Sequence, residues 1–142
     1  MNPSGQLIVT GYPRLFATSP AGYQLTTATC QIGTAAGQLP IRISYQDAQW
    51  LNGLADEING IVAANVSDAN TLLANSGHAI RVTFVATSPA FNNHRLCSGS
   101  RWFNGVEVAY PVGKPQRKRV SLHPNADGQK AYASAVIPKV TI

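Results

Sequence analysis

The sequence is poor in charged residues and cysteine, and it has no long apolar run. Of its 142 residues, 12% are charged, with 11 Lys and Arg against 6 Asp and Glu. The longest apolar segments are far shorter than the roughly 20 residues that a membrane-spanning helix needs, so no transmembrane segment is predicted. The start, Met1 to Gly5, has neither a basic region nor an apolar core and does not predict a signal peptide. An apolar fraction of 44% and this length indicate one ordinary folded domain.

The few cysteines and histidines exclude the common metal and redox motifs. Cys30 and Cys97 lie too far apart in the sequence for a CxxC pair. His78, His94 and His123 have neither i,i+4 spacing nor the neighbouring carboxylates that would build a zinc site. We therefore predict no metal and no cofactor.

Positive charge is concentrated in one short segment that contains Lys114, Arg117, Lys118 and Arg119. A nucleic-acid site would also need interleaved aromatic side chains and basic residues on other elements, and the sequence offers neither. We therefore expect a solvated loop and no nucleic-acid partner. Binding of nucleic acid or of an anionic surface through this cluster is the alternative.

The apolar pattern predicts an α/β fold. Gln6 to Tyr12 is a continuous apolar run with β-branched residues, typical of a parallel strand buried on both faces, and Ala79 to Thr87 indicates a second strand. Between them, helical spacing begins after a capping box formed by Ser44 and Asp47 and stops at Asn75-Ser76-Gly77. A strand, a helix and a strand in this order form a right-handed crossover.

Other parts of the chain have weaker patterns. The helical spacing is less regular between Gly60 and Asp68, where we expect the helix to break. Phe16 to Pro40 has little periodicity and many Gly, Thr, Ala and Pro residues, so a long surface loop is expected there. Ser88 to Lys118 is expected to be irregular apart from an apolar segment from Val106 to Tyr110. Loops of such length are usually functional.

The clearest chemical signal is the segment Val120 to Gln129, which is followed by an alanine-rich run to Val136. Pro124 fixes its own φ and has no N–H, so it suits the first position of a helix and places His123 where that helix begins. The positive end of a helix dipole favours the neutral imidazole that a general base needs. A surface turn is the alternative role for a single His before a Pro.

The Ser-x-His-Pro-Asn-x-x-Gly pattern in this segment resembles the last block of the SGNH (GDSL) hydrolases, which are esterases and lipases with a Ser/His pair or a Ser/His/Asp triad. The opening segment Leu7 to Phe16, with its Gly-Tyr-Pro turn, resembles the secreted, streptomycete-type branch of that family. The resemblance extends to Phe91, His94, Leu96, Cys97 and Trp102. It implies a partial three-layer α/β/α parallel-sheet fold, flavodoxin-like and without its N-terminal strands, in which residues 1–142 are the C-terminal part of one hydrolase domain.

The resemblance implies that His123 is the catalytic general base and acid, acting on a small-molecule or lipid carboxylic ester. The family pattern is commonly Asp-x-x-His, but Val120 stands at the position of that acid. In the streptomycete-type branch a backbone carbonyl can replace the acid, and here we expect it from Arg119 or Val120. Asp127 is expected to serve the helix N-terminus instead.

The resemblance also implies an extracellular protein with a disulfide between Cys30 and Cys97, for which two separate buried thiols are the alternative. Gly-Asp-Ser, Gly-x-Asn-Asp and Gly-x-Ser-x-Gly do not occur in the sequence. We therefore expect the nucleophilic Ser and the oxyanion-hole Gly and Asn from an N-terminal half outside it. This chain would supply the histidine of a serine esterase or lipase and be inactive alone. A degenerate, non-enzymatic α/β binding module is the alternative function.

Overall fold

The described residues contain strands and helices in a mixed α/β arrangement, with three strands before the first helix and three between the two helices. The computed structural model of the protein describes residues 5–35, 39–109 and 116–141. In that part of the chain, no helix is long and apolar enough to cross a bilayer. Short 3₁₀ turns occupy Pro20–Gly22, Ser88–Phe91 and Ile137–Lys139. The other elements are β1 (Gly5–Thr10), β2 (Thr29–Thr34), β3 (Pro40–Ser44), α1 (Tyr45–Asn75), β4 (Ile80–Val85), β5 (Val106–Ala109), β6 (Gln116–Arg117) and α2 (Ala126–Val136).

β1, α1 and β4 form the predicted strand, helix and strand. β1 and β4 pair in parallel, from Gly5 opposite Ile80 to Thr10 opposite Val85. β1 is not buried on both faces as expected, because Leu7 is 56% exposed. The other strands of the described segments form a separate sheet in the order β3, β2, β5, β6.

α1 is one unbroken helix, so the expected break between Gly60 and Asp68 is wrong. Its predicted start is confirmed, since the Ser44 side chain accepts a hydrogen bond from the Asp47 N–H at 3.1 Å. Its predicted end is confirmed as well. The N–H of Gly77 donates to the Ala74 carbonyl and that of His78 to the Leu73 carbonyl, and Gly77 has φ +71°, which together form a Schellman cap.

Asparagine side chains hold α1 against the rest of the fold. Residues 52, 59 and 70 lie within about 20° of one another around a helix of 3.6 residues per turn, so they share one face. Each amide accepts from the backbone N–H and donates to the C=O of a single residue, at 2.7 to 3.1 Å: Asn52 with Phe16, Asn59 with Tyr12, and Asn70 with Val82. These contacts on both sides of residues 60–68 explain why the helix continues.

The expected long loop from Phe16 to Pro40 is wrong in its second half, where β2 pairs antiparallel with β3. Cys30 and Ile32 alternate as the buried residues of β2. β5 lies within the predicted apolar segment and pairs in parallel with β2 at Gly33, while Tyr110 lies outside the described residues. A Cβ at Gly33 would lie 1.9 Å from the Val106 carbonyl oxygen, so only glycine permits this approach.

The core lies between this sheet, the start of α1 and the segment after β4. The disulfide between Cys30 and Cys97 is confirmed and joins β2 to that segment. The large buried side chains include Phe16, Tyr23, Phe91, Leu96 and Phe103. Phe91 contacts Trp102, Phe103 and Tyr132, which connects the core to α2.

Candidate active site

His123 is an exposed residue in a tight turn that leads into α2. The helix begins at Ala126, and Asn125 is its N-cap, with a side chain that accepts from the N–H groups of Asp127 and Gly128 at 3.1 Å. Pro124 therefore precedes the cap and does not occupy the first helical position as expected. An Asn side chain satisfies free N–H groups at a helix start, which a Pro ring cannot do.

A backbone carbonyl lies beside the imidazole of His123. Its Nδ1 is 3.0 Å from the carbonyl oxygen of Ser121, not from that of Arg119 or Val120 as we expected. The Val120 carbonyl accepts the His123 backbone N–H at 3.2 Å and is therefore engaged in the turn itself. Leu122, which lies between Ser121 and His123, has φ +64°, a left-handed conformation that is rare for leucine.

Ser121 is anchored to β5. The residue is 1% exposed, and its hydroxyl accepts from the Glu107 N–H at 3.1 Å. The same hydroxyl lies 3.4 Å from the Glu107 carbonyl. The carbonyl that contacts His123 is thereby fixed to the sheet.

A second segment, residues 101–104, runs beside the His123 turn and holds it in place. Phe103 and Pro124 form an isolated antiparallel bridge there. Four hydrogen bonds of 2.9 to 3.2 Å join the two segments: Asn104 N–H to His123 O, Leu122 N–H to Asn104 O, Asn125 N–H to Trp102 O, and Asn125 Nδ2 to Arg101 O. These bonds fix the backbone on both sides of the imidazole.

His94 contacts Trp102, which belongs to the segment that holds the His123 turn. Its ring stacks on Trp102 with centroids 3.6 Å apart, and its carbonyl accepts the Trp102 N–H at 2.8 Å. Its Nδ1 lies 3.2 Å from Ser100 Oγ. This second Ser–His contact lies away from the apolar groove that His123 lines. We therefore assign His94 a structural role.

An apolar groove of about 580 Å³ lies against His123. It is lined from three sides, by one face of α1, by the Gly-Tyr-Pro segment and by the His123 turn. The α1 side chains are half-buried to exposed, so they are accessible to a ligand. The lining residues are Tyr12, Pro13, Leu15, Phe16, Leu51, Leu54, Ala55, Ile58, Phe103, Ser121, Leu122, His123, Pro124, Gln129 and Tyr132.

The walls of the groove are joined around the end of β1. The Gly11 carbonyl accepts from Tyr132 Oη at 2.8 Å and from Thr87 Oγ1 at 2.7 Å. α2, which follows His123, is thereby bound to the Gly-Tyr-Pro segment. Directly after that segment in the sequence, Arg14 forms a bidentate ion pair with Asp56 of α1, with contacts of 2.6 to 3.0 Å.

Two of the remaining charged candidates, Asp127 and Lys118, form ion pairs with nearby side chains. Asp127 is exposed in the first turn of α2, where its carboxylate lies 3.5 Å from Lys130 Nζ, as expected for a helix-terminus residue. In the basic cluster, Lys118 forms an ion pair with Glu107, and Arg119 is exposed. Lys114 lies outside the described residues.

Comparison with known proteins finds similarity to lipases. No family model matches the chain. It is 26% identical over 106 residues to a lipase of Streptomyces rimosus, an alignment that covers 75% of this chain and 29% of that protein. Its fold is similar to the crystal structure of an extracellular lipase from Streptomyces rimosus, with a TM-score of 0.54, 27% identity, and coverage of 95% of this chain and 43% of that one. The chain thus spans less than half of the relatives it matches, and the expected resemblance to streptomycete-type lipases is confirmed.

Proposed function

We propose that this chain is the C-terminal part of an SGNH-type hydrolase of carboxylic esters and that His123 is its general base and acid. In this proposal, residues 1–142 contribute part of a three-layer α/β/α domain. A segment outside this sequence contributes further central strands, the nucleophilic Ser and the oxyanion-hole donors. The observation that carries the proposal is an imidazole held by a backbone carbonyl on the wall of an apolar groove.

The chemistry follows from the contact at Nδ1. In the tautomer that carries its proton on Nδ1, that N–H donates to the Ser121 carbonyl, and Nε2 is left as the proton acceptor. Nε2 takes the proton of the Ser hydroxyl as its oxygen attacks the ester carbonyl, and then gives that proton to the oxygen of the leaving alcohol. A water molecule repeats the sequence on the acyl-enzyme. The carbonyl orients the ring as a carboxylate would but adds no negative charge to stabilise the imidazolium.

The groove explains why the substrate would be an ester with an apolar part. Its floor consists of Leu51, Leu54 and Ile58 on α1, and burial of a hydrocarbon chain against them is favourable by about 0.8 kcal/mol per methylene group. Either a small-molecule ester or a lipid ester would place its ester carbonyl near His123 while its hydrocarbon part occupies the groove.

We further propose that the N-terminal half covers apolar surface that this chain leaves open. On α1, Trp50 is 66% exposed and Ile61 is 56% exposed, and Leu7 of β1 is similarly exposed. The chain alone should therefore self-associate or bind hydrophobic dyes, whereas a fusion to the other half should not. A monodisperse monomer that binds no hydrophobic dye would contradict this part of the proposal.

An extracellular location is proposed on two grounds. The Cys30–Cys97 disulfide fits an oxidising compartment, and the solved relative is described as an extracellular lipase.

The test is a fusion of this chain behind an N-terminal half that carries the Gly-Asp-Ser block, assayed with a chromogenic short-chain ester. The fusion should hydrolyse the ester, and the chain alone should not, because the transition state would lack both nucleophile and oxyanion donors. His123→Ala should lower kcat on the order of 10³-fold or more. The matched control is His78→Ala, at an exposed histidine beyond the end of α1, which should leave kcat unchanged.

A further variant separates the carbonyl from a carboxylate as the group that orients His123. Asp127→Asn should lower kcat by less than about tenfold if Asp127 serves only the helix terminus. If this variant is as damaging as His123→Ala in a folded protein, Asp127 is the orienting acid. A folded fusion that hydrolyses no ester would overturn the catalytic proposal and favour the non-enzymatic binding module.

A further inference from the structure

Arg95 is a buried cation whose hydrogen-bonding capacity is only partly used. The residue is 6% exposed. Its Nη2 donates to Asn92 Oδ1 at 2.7 Å and makes longer contacts with the Ser88 carbonyl and hydroxyl at 3.3 and 3.4 Å. Its Nε is buried without an acceptor, and within the described segments Nη1 makes no hydrogen bond. All three acceptors are neutral, so the charge is not compensated.

The charges around Arg95 leave an excess of one cation. Asp56 is the neighbouring carboxylate, and its two oxygens are bound by Arg14. Burial lowers the pKa of Arg95, the nearby Arg14 lowers it further, and Asp56 partly opposes both. A guanidinium nevertheless stays protonated in proteins, so this cluster holds two positive charges against one negative charge. A buried charge without a partner is costly, and a bound anion would reduce that cost.

A polar pocket of about 340 Å³ lies at this cluster. Apart from Ala17, its lining residues carry hydroxyl, amide or guanidinium groups, all of which can donate hydrogen bonds: Thr18, Ser19, Asn92, Asn93, Arg95 and Ser98. None of the lining residues in the described ranges is acidic. The volume is at the lower end of the range for small-molecule sites and accommodates a phosphate or carboxylate with part of the molecule that bears it.

We propose that this pocket binds an oxyanion, with phosphate as the preferred group, and that Arg95 supplies the compensating charge. The pocket shares no lining residue with the apolar groove, so the proposal is independent of ester hydrolysis. The phosphate could be a free anion or the headgroup of a lipid, since both present the same oxygens to the guanidinium.

The test uses the 142-residue chain and inorganic phosphate at constant ionic strength, with chloride as the exchanged ion. Phosphate stabilises folded proteins in general, so an increase in the Tm of one protein does not demonstrate a site. The decisive quantity is the difference between variants in the Tm increase that phosphate causes. The unchanged chain should gain a saturable increase in Tm that Arg95→Gln lacks. Arg81→Gln removes the same charge from an exposed position on β4 and should keep the increase. An equal phosphate dependence in Arg95→Gln and the unchanged chain would overturn the proposal.

A direct measurement covers the case in which Arg95→Gln does not fold. The NMR signal of the Arg95 Nε–H group in the unchanged chain should move with phosphate and saturate at the same concentrations as the Tm increase. If the Tm rises while this signal stays fixed, phosphate binds elsewhere and the proposal is wrong. Arg95→Lys, which keeps the charge but loses the planar fork, should weaken binding about tenfold.

A short-chain lipid distinguishes a lipid headgroup from a free anion as the ligand of this pocket. Dihexanoyl phosphatidylglycerol, kept below its micelle concentration, should shift the same Arg95 signal if the site accepts a headgroup. Tighter binding than that of inorganic phosphate assigns the site to lipid, and weaker binding assigns it to a free anion.

Discussion

Gly128 provides the sharpest test of how the His123 turn is held against its support. A Cβ on this residue would lie 2.3 Å from the Trp102 carbonyl oxygen, 2.9 Å from Pro124 Cβ and 3.2 Å from Phe91 Cε1. The Trp102 carbonyl also accepts the Asn125 N–H at 2.9 Å, so it cannot move away without weakening the bond that holds the N-cap of α2. Gly128→Ala should therefore separate α2 from the segment 101–104.

The expected change in the free energy of unfolding combines two destabilising effects and one stabilising effect. Overpacking costs about 1 to 3 kcal/mol, and the upper end applies because the closest atom belongs to the backbone. Weakening the Asn125 hydrogen bond adds about 1 kcal/mol. Alanine is favoured over glycine inside a helix by about 1 kcal/mol, which acts in the opposite direction. The free energy of unfolding should fall by about 2 to 3 kcal/mol.

Two other glycines provide the control. Gly53 and Gly60 lie in α1, and a Cβ at either position would meet no atom within 4 Å. Gly53→Ala and Gly60→Ala should therefore raise the free energy of unfolding by about 0.5 to 1 kcal/mol. Urea unfolding of all three variants under one condition measures these differences. An increase for Gly128→Ala similar to the other two would refute the close approach between α2 and Trp102.

Three further predictions concern the core. Asn52→Ala removes both partners of the Phe16 backbone and should lower stability to urea by about 2 to 4 kcal/mol, whereas Asn65→Ala, whose amide bonds only its own helix, should change it little. Burial raises the pKa of Tyr23 to about 12, above the value of about 10 in an unfolded chain, so its stabilising effect is present below pH 10 and lost as the pH rises to about 12. Tyr23→Phe should flatten that alkaline loss in unfolding measured from pH 9 to 12. Replacing Cys30 and Cys97 by Ser should lower the free energy of unfolding by roughly 3 to 5 kcal/mol, and added reductant should then have no further effect.

The sequence predicts the ends of α1 well but not its middle. Ser44 and the Asn75-Ser76-Gly77 stop are local signals, and the structure uses both as caps. Continuity through residues 60–68 depends on tertiary contacts of Asn59 and Asn70. In a sequence, asparagines on a helix indicate a solvent-facing surface, so their pairing with distant backbone groups cannot be predicted from spacing.

The hairpin of β2 and β3 is not predicted from the sequence, for a different reason. Its strands are short, with six and five residues, so the alternation of buried and exposed residues covers only a few positions in each. The register of the pairing also shifts between Gln31 and Gly33, which no local pattern indicates. Gly33 suggests a loop in the sequence, yet in the fold it permits the close approach of β5. Long-range pairing, and not local propensity, therefore determines this part of the structure.

The candidate site has one part that a local sequence signal indicates and one part that depends on long-range contacts. The motif identifies His123, but the carbonyl beside it belongs to Ser121 only because Leu122 takes a left-handed conformation that no leucine prefers. That conformation persists because Ser121 is fixed to β5 on one side and residues 122–125 are bonded to residues 101–104 on the other. Local strain retained in this way is common where a side chain must be held in one orientation. A neutral carbonyl gives the imidazole position without added charge, so the proposed base depends on the rigidity of its surroundings for what a carboxylate would supply by attraction.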